Sequence, residues 1–165
     1  MKKTIPKKVR QFIDNNVYEE SLKRIEHIYN TFDTLVVLFS GGKDSLVTLH
    51  LVKEVLNAHG INRVNVVFRD EELIPDEVIN FVNTYRKKDW VRMLYFAVPL
   101  ESQIHILGET KTYIQWDENR VHIRPKPDHA ITSKDVFNQY KMDSFTASFY
   151  KGKIALINGI RAAES

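Results

Sequence analysis

The sequence contains no cysteine among its 165 residues. This absence excludes disulfides, thiolate metal sites, iron–sulfur clusters and a cysteine nucleophile within this chain. The six histidines do not compensate for it, because none of them stands at a metal-ligand spacing from another. We therefore expect no metal site built from cysteine or histidine, and we assign no residue of the chain as a metal ligand.

The sequence also lacks a long apolar run. No window approaches the ~20 uninterrupted apolar residues that a membrane span needs. The lysines of MKKTIPKKVRQF are not followed by the apolar stretch of a signal peptide. We therefore predict a cytoplasmic protein without membrane contact.

The chain length and the 43% hydrophobic content favour one domain over residues 1–165. The net charge of +3 suits a phosphate-bearing ligand but does not by itself indicate nucleic acid.

Apolar runs of strand length alternate with helical periodicities along the chain. The run DTLVVLF is typical of a central parallel strand that is covered on both faces. A β-α-β-α-β order requires parallel strands joined by right-handed crossovers. We therefore predict an α/β fold with an open, mostly parallel twisted sheet and helices on both faces. The predicted helices are 16–32, 45–58 and one that begins near Pro75, and the predicted strands are 33–39, 62–68, 91–98 and 153–160.

Between Pro99 and Tyr150 the pattern is less regular. The segment TYIQWDENRVHIRP has aromatic and β-branched residues on both flanks, so we predict a small hairpin insertion that turns at residues 117–119. In this interpretation Trp116 packs under the hairpin and the charges of the segment lie in water. The alternative is that the basic and aromatic residues contact a nucleic acid or a nucleotide base.

The stretch SGGKDS, residues 40–45, joins the first predicted strand to the next helix. The first N–H groups of a helix lack partners, and the helix dipole favours negative charge there. The glycines let an anion approach the backbone, the serines add hydroxyl donors and the lysine adds a cation. We interpret the turn as a phosphate cradle. The alternative is a plain strand-to-helix turn capped by Ser45. The residues that we assign to ligand binding are Ser40, Gly41, Gly42, Lys43, Asp44 and Ser45.

Two segments of the chain resemble a known superfamily. SGGKDS after an apolar strand is similar to the loop of the pyrophosphate-binding-loop proteins, which comprise the N-type ATP pyrophosphatases and the phosphoadenosine phosphosulfate reductase family. NGIRAAES at 158–165 resembles the Gly-Ile-Arg-x-x-Glu-Ser segment after the fourth core strand of the reductase branch. QWDENR resembles a subset of reductase-like proteins found in bacteria and mobile elements. All of these proteins have the adenine-nucleotide α-hydrolase-like fold.

The resemblance implies a strand order of 3-2-1-4-5. Strands 1 and 4 would then be neighbours, and their carboxyl ends would flank the topological switch point where open α/β sheets bind ligands. This places Gly159 and Arg161 opposite the SGGKDS loop, with Arg161 offering a planar fork to a phosphate or sulfate. Asp70 lies close to where the reductases carry Asp-Thr-Gly, although the threonine and glycine are absent here. Asp70 would face a ribose or a metal, whereas Glu71 and Glu72 are equally well explained as solvated turn residues.

The resemblance also implies a function that involves an adenine nucleotide, either ATP or phosphoadenosine phosphosulfate. In the pyrophosphatase branch, the loop holds the phosphates of ATP with Mg²⁺, and Lys43 and Arg161 would stabilise the charge as ATP is cleaved between its α- and β-phosphates. In the reductase branch, the nucleophile is a C-terminal cysteine that this chain lacks.

A nucleotide-sensing module that acts through a partner protein is the second hypothesis, and a nucleic-acid-associated protein is the third. A homodimer stays open. Family members usually continue beyond the segment that contains Ser165, so we expect a domain cut short at its C-terminus.

Overall fold

The computed structural model describes residues 14 and 16–160, without the side chains of Ile104 and Ile106. Helices and strands alternate through the first half of this region, and an antiparallel hairpin, a helix and a last strand follow. In chain order the elements are α1 (Val17–Thr31), β1 (Thr34–Leu38), α2 (Lys43–Ala58), β2 (Val64–Arg69), α3 (Asp76–Arg86), β3 (Val91–Phe96), β4 (Leu100–Ile106), β5 (Glu109–Gln115), α4 (Gln139–Ala147) and β6 (Ile154–Ile157).

The main sheet has four parallel strands in the order β3-β2-β1-β6. The predicted α/β class and the predicted neighbourhood of strands 1 and 4 are therefore confirmed, with β6 as the fourth strand. The register pairs Val36 of β1 with Leu156 of β6 and with Asn65 of β2. The fifth strand of the expected order is not found among residues 16–160. Because β2 and β6 lie on opposite sides of β1, the switch point is at the carboxyl end of β1.

Alternate side chains of β1 enter two separate cores, because successive residues of a strand point to opposite faces. Leu35, Val37 and Phe39 pack with the apolar sides of α1, α2 and α3. Val36 packs on the other face with Phe137 and Met142, which belong to α4 and to the segment before it. Helices therefore cover both faces of the sheet, as the continuous apolar run of β1 predicts.

The local ends of the helices follow from capping residues. Asn16 accepts a hydrogen bond from Glu19 N at 2.9 Å and begins α1, and Asn138 accepts one from Lys141 N at 2.9 Å and begins α4. Gly60 follows α2 with a φ of 75°, the left-handed conformation that glycine commonly adopts after the end of a helix.

The predicted hairpin is wrong in position. The antiparallel pair is β4 and β5, which turns at Leu107 and Gly108 instead of at residues 117–119. Gly108 has a φ of 88°, a conformation that glycine adopts at little cost. The segment after Gln115 forms no strand, because its polar groups are used in contacts with the end of β2 that are described below.

Among the helices that the structure describes, none combines the length and the apolar character of a transmembrane span.

Candidate functional site

The SGGKDS loop connects the carboxyl end of β1 to the first turn of α2. Its two serines bind each other, with 3.0 Å between Ser40 Oγ and Ser45 Oγ. Ser45 Oγ also lies 2.9 Å from the carbonyl of Gly42 and accepts a hydrogen bond from Ser40 N at 3.2 Å. Ser45 is therefore not the N-cap that the plain-turn alternative requires, since Gly42 occupies that position without a side-chain cap.

The first turn of α2 offers unused donors. Among the described residues, the backbone N–H groups of Lys43, Asp44 and Ser45 have no hydrogen-bond partner, whereas Leu46 N already bonds to Gly42 O at 3.0 Å. The Lys43 side chain is exposed and makes no ion pair or hydrogen bond within the same part of the chain. A cation and a row of free N–H groups at the positive end of a helix dipole form a favourable site for an anion.

Glycine suits positions 41 and 42 of the loop for different physical reasons. Gly41 has a φ of 79°, and a Cβ there would lie 2.9 Å from Val78 Cγ1 on α3. The fold itself therefore requires glycine at position 41. Gly42 has an ordinary φ of −80°, and a Cβ there would only contact Ser40 Oγ at 3.4 Å. The backbone does not demand glycine at position 42, but a group that approaches the N–H row benefits from the missing side chain.

The exit of β6 packs directly on this loop. A Cβ on Gly159 would lie 2.8 Å from the carbonyl oxygen of Asp44 and 2.9 Å from Thr48 Oγ1, so only glycine permits the approach. The structure thus brings Gly159 together with the first turn of α2. Arg161, which the sequence places two residues further, lies outside the described residues, and its predicted role stays a prediction.

An open cleft of about 580 Å³ lies at this switch point. The loop forms one part of its lining, and the end of β1, the end of β2 with the residue Glu71 after it, the start of α4 and the residues after β6 contribute the rest. The sequence alone did not point to Arg69 or Gln139 as lining residues. For Arg69, the only local signal was its position at the end of the apolar run VNVVF. The lining consists of Leu38, Phe39, Ser40, Gly42, Lys43, Asp44, Ser45, Val67, Arg69, Glu71, Gln139, Asn158, Gly159 and Ile160.

Asp70 is not brought into this cleft. It is buried, it pairs with Arg124, and it accepts hydrogen bonds from Tyr95 OH at 2.6 Å and from Glu72 N at 2.9 Å. Burial, followed by the hydrogen bond to Asp70, raises the pKa of Tyr95 above its usual range. Both carboxylate oxygens of Asp70 are therefore already used by the fold, and a role toward a ribose or a metal stays a prediction.

Glu72 is a buried carboxylate, so of the two alternatives left open for it, that of a solvated turn residue does not hold. It is 1% exposed and accepts hydrogen bonds from Trp116 N at 2.7 Å and Ile123 N at 2.8 Å. Its main partner is Arg120, whose Nη1 donates to Glu72 Oε1 at 2.9 Å and whose Nη2 also pairs with it. Glu71 is exposed and lines the cleft.

The pKa of Glu72 follows from these contacts. Burial alone raises the pKa of the carboxyl, but hydrogen bonds from Arg120 and from the N–H groups of Ile123 and Trp116 favour the charged form more strongly. The balance lowers the pKa of Glu72 to about 2. Glu72 is therefore ionised throughout the physiological range.

We call the group Asp70, Glu72, Trp116, Arg120 and Arg124 the arginine–carboxylate brace. Trp116 is fully buried, its Nε1 donates to Asp70 O at 2.6 Å, and Arg124 lies over its ring at 5.0 Å. Glu72 and Trp116 have positive φ angles of 57° and 52°, a conformation that costs a residue with a side chain on the order of 1 kcal/mol. The brace holds both residues in place, and it fixes the chain around Glu71 at the rim of the cleft.

The brace also corrects the interpretation of the segment 116–126. Arg120 and Arg124 do not lie in water, because both are paired with buried carboxylates. Lys126 pairs with Glu118 as well. These three cations are therefore engaged within the fold, which weakens the hypothesis that they contact a nucleic acid.

Comparison with known proteins agrees with this geometry. The family model described as the phosphoadenosine phosphosulfate reductase domain matches residues 34–165. The chain is also similar to the uncharacterized protein YbdN of Escherichia coli (strain K12), with 32% identity over 162 residues. That match covers 91% of this chain but 40% of YbdN, so the chain spans less than half of its relative. From the matched range we conclude that the chain belongs to the phosphoadenosine phosphosulfate reductase domain family.

Proposed function

We propose that this domain binds an adenine nucleotide, ATP or a sulfonucleotide such as phosphoadenosine phosphosulfate, with its phosphates against the SGGKDS loop. The observation that carries the proposal is that Lys43 and the adjacent N–H groups of the first turn of α2 have no partner among residues 16–160, at the edge of the switch-point cleft. Membership of the family supports an adenine nucleotide as the ligand.

The loop residues have distinct roles in this proposal. Lys43 and the N–H groups of residues 43–45 contact the phosphates, and Gly42 leaves room for their approach. Gly41 and Gly159 act through the backbone, because their close packing sets the shape of the loop. Ser40 and Ser45 hold the turn together and can redirect a hydroxyl to the ligand. Asp70 and Arg161 remain further candidates, and Arg161 would approach the phosphates from β6.

The first chemistry that we propose is cleavage of ATP between its α- and β-phosphates. An acceptor oxygen forms a bond to the α-phosphorus, the bond from that phosphorus to the bridging oxygen breaks, and pyrophosphate leaves with the electron pair while the acceptor's proton passes to water. Lys43 and the N–H row stabilise the charge that develops on the leaving group. Mg²⁺ would arrive with ATP, since the described residues hold no group of three or more His, Cys, Asp or Glu side chains that could bind a metal ion.

The second candidate is a nucleotide-sensing module that acts through a partner protein. One observation favours it: the chain has no cysteine for the reductase chemistry. Binding at the loop would be the same in both candidates. They differ in whether the nucleotide is consumed.

The test is a ligand series measured by thermal unfolding and by pyrophosphate release. A ligand that binds only the folded state raises the melting temperature by mass action. We expect ATP with Mg²⁺ or phosphoadenosine phosphosulfate to raise it, and adenosine to have little effect. Pyrophosphate release from ATP would support cleavage, and a shift without release would support sensing. If no nucleotide of the series raises the melting temperature, the proposal is wrong.

We also predict that this chain alone does not reduce a sulfonucleotide. That reaction needs a thiolate that attacks sulfur, and none of the 165 residues supplies one. Purified chain given phosphoadenosine phosphosulfate and thioredoxin should release no sulfite above a protein-free control, while calorimetry still detects binding of the nucleotide. Sulfite at enzymatic rates would contradict the prediction and the ATP-using or sensing role with it.

A further inference from the structure

Arg69 is a second cation on the lining of the switch-point cleft. It is the last residue of β2, and its side chain is 15% exposed, so most of the guanidinium is withdrawn from water. Nη2 donates to Asp143 of α4 at 2.5 Å. Nε is buried without a hydrogen-bond partner, and Nη1 donates to no residue in the described part of the chain.

Arg120, another arginine near the end of β2, makes more contacts within the fold. Arg120 donates to Glu72, to Tyr113, and to the carbonyls of Ile114 and Val121. A guanidinium carries five N–H donors, and a buried donor without an acceptor is unfavourable. The fold therefore engages both terminal nitrogens of Arg120, whereas it leaves Nη1 of Arg69 without a partner among the described residues, and Arg69 lines the cleft that a ligand enters.

The carboxylates around the cleft limit what that group is. Asp44 and Glu71 also line the cleft, and Asp143 of α4 forms an ion pair with Arg69. The cleft is therefore not a general trap for anions, and binding depends on directed donors at particular points. Lys43 with the N–H row provides one such point, and the guanidinium of Arg69 provides another.

We propose that Arg69 holds a second anionic group of the nucleotide that the loop binds. The site would then select adenosine nucleotides with two or more linked phosphoryl or sulfuryl groups, such as ATP, ADP and adenosine phosphosulfate, over AMP. This inference rests on the proposed function and deepens it, because it assigns the selectivity of the site to a residue outside the loop motif.

The test compares Arg69→Gln with Asp143→Asn by calorimetry of ATP, ADP, adenosine phosphosulfate and AMP. Both variants break the same ion pair between β2 and α4, so a purely structural role predicts the same loss for both. The proposal predicts opposite results. Arg69→Gln should lose about tenfold or more in affinity for the ligands with two linked groups and little for AMP. Asp143→Asn should keep or raise these affinities, because it leaves Arg69 without its competing carboxylate.

Equal losses in both variants would overturn the proposal, and so would an Arg69→Gln variant that binds ATP as the wild type does. Should Arg69→Gln fail to fold, Arg69→Lys keeps the charge without the planar fork and is expected to lose the preference for ATP over AMP in the same direction. A wild type that binds no nucleotide would overturn the proposed function, and this inference with it. A wild type that binds ATP and AMP equally would overturn the inference alone.

Discussion

Replacement of Lys43 by alanine should weaken nucleotide binding by about 10- to 150-fold, which corresponds to ~1.5–3 kcal/mol for a charge-assisted hydrogen bond. The side chain makes no ion pair or hydrogen bond with any described residue, so its loss removes no contact within the fold. The melting temperature of the free protein should therefore stay unchanged. Isothermal calorimetry with ATP and with phosphoadenosine phosphosulfate measures the effect.

Lys151→Ala is the matched control for this experiment. Lys151 is also exposed, but it precedes β6 at the amino end of the sheet, opposite to the loop. Its loss changes the net charge by the same amount without touching the cleft. If both variants weaken binding equally, the effect is a general one of charge and Lys43 has no special role. Unchanged affinity in Lys43→Ala would remove the loop from the proposed site.

Glu72→Gln should destabilise the domain by about 3 kcal/mol. Removal of one partner from a buried ion pair typically costs ~3–5 kcal/mol, because the other charge is left without compensation. We expect the lower end of that range because Arg120 is 29% exposed and can be partly hydrated. The variant also weakens the contacts that hold Glu72 and Trp116 at positive φ angles. Urea unfolding at neutral pH measures the free energy of unfolding.

Glu71→Gln is the control for this second prediction, because it makes the same chemical change one residue away. The Glu71 side chain is exposed. Without ligand, the free energy of unfolding of Glu71→Gln should therefore differ from that of the wild type by no more than about 0.5 kcal/mol. Similar losses in both variants would show that burial of Glu72 does not matter.

The pH dependence gives an independent check of Glu72. Its folded-state pKa is lowered from 4.5 to about 2, so the unfolded state binds this proton first as the pH falls. The stabilisation by Glu72 is therefore complete above pH 4.5 and is lost as the pH falls toward 2. The difference in stability between wild type and Glu72→Gln should narrow over this range. A constant difference would contradict the assignment of the charge to Glu72.

The loop and its surroundings were predictable because their signals are local. An apolar β-branched run, two glycines and a following helical periodicity occupy consecutive residues 34–58, and each reflects backbone preferences within a few residues. The parallel order around β1 also followed, since the resemblance of both SGGKDS and NGIRAAES fixed which strands are neighbours. The distinct reasons for Gly41 and Gly42 did not follow, because they depend on how closely α3 approaches the loop.

The hairpin was misplaced because two segments compete for the same local pattern. Both 100–115 and 113–124 mix β-branched, aromatic and polar residues. The two strands form on either side of the turn at Leu107 and Gly108. The residues after Gln115 cannot pair as a strand, because their N–H groups are used in contacts with Glu72. Trp116 is fully buried by these contacts.

The sequence by itself determined the family, the α/β class, the position of the loop and the absence of a thiol in this chain. Tertiary structure alone decided which charges are used by the fold and which remain free. Glu72 meets Arg120 across 48 residues, and Arg69 meets Asp143 across 74. Such pairs form only when distant elements are packed, because their energy depends on geometry and desolvation and has no signature within a short window of sequence. For this reason three neighbouring acidic residues, Asp70, Glu71 and Glu72, look alike in the sequence, although only Glu71 lines the cleft.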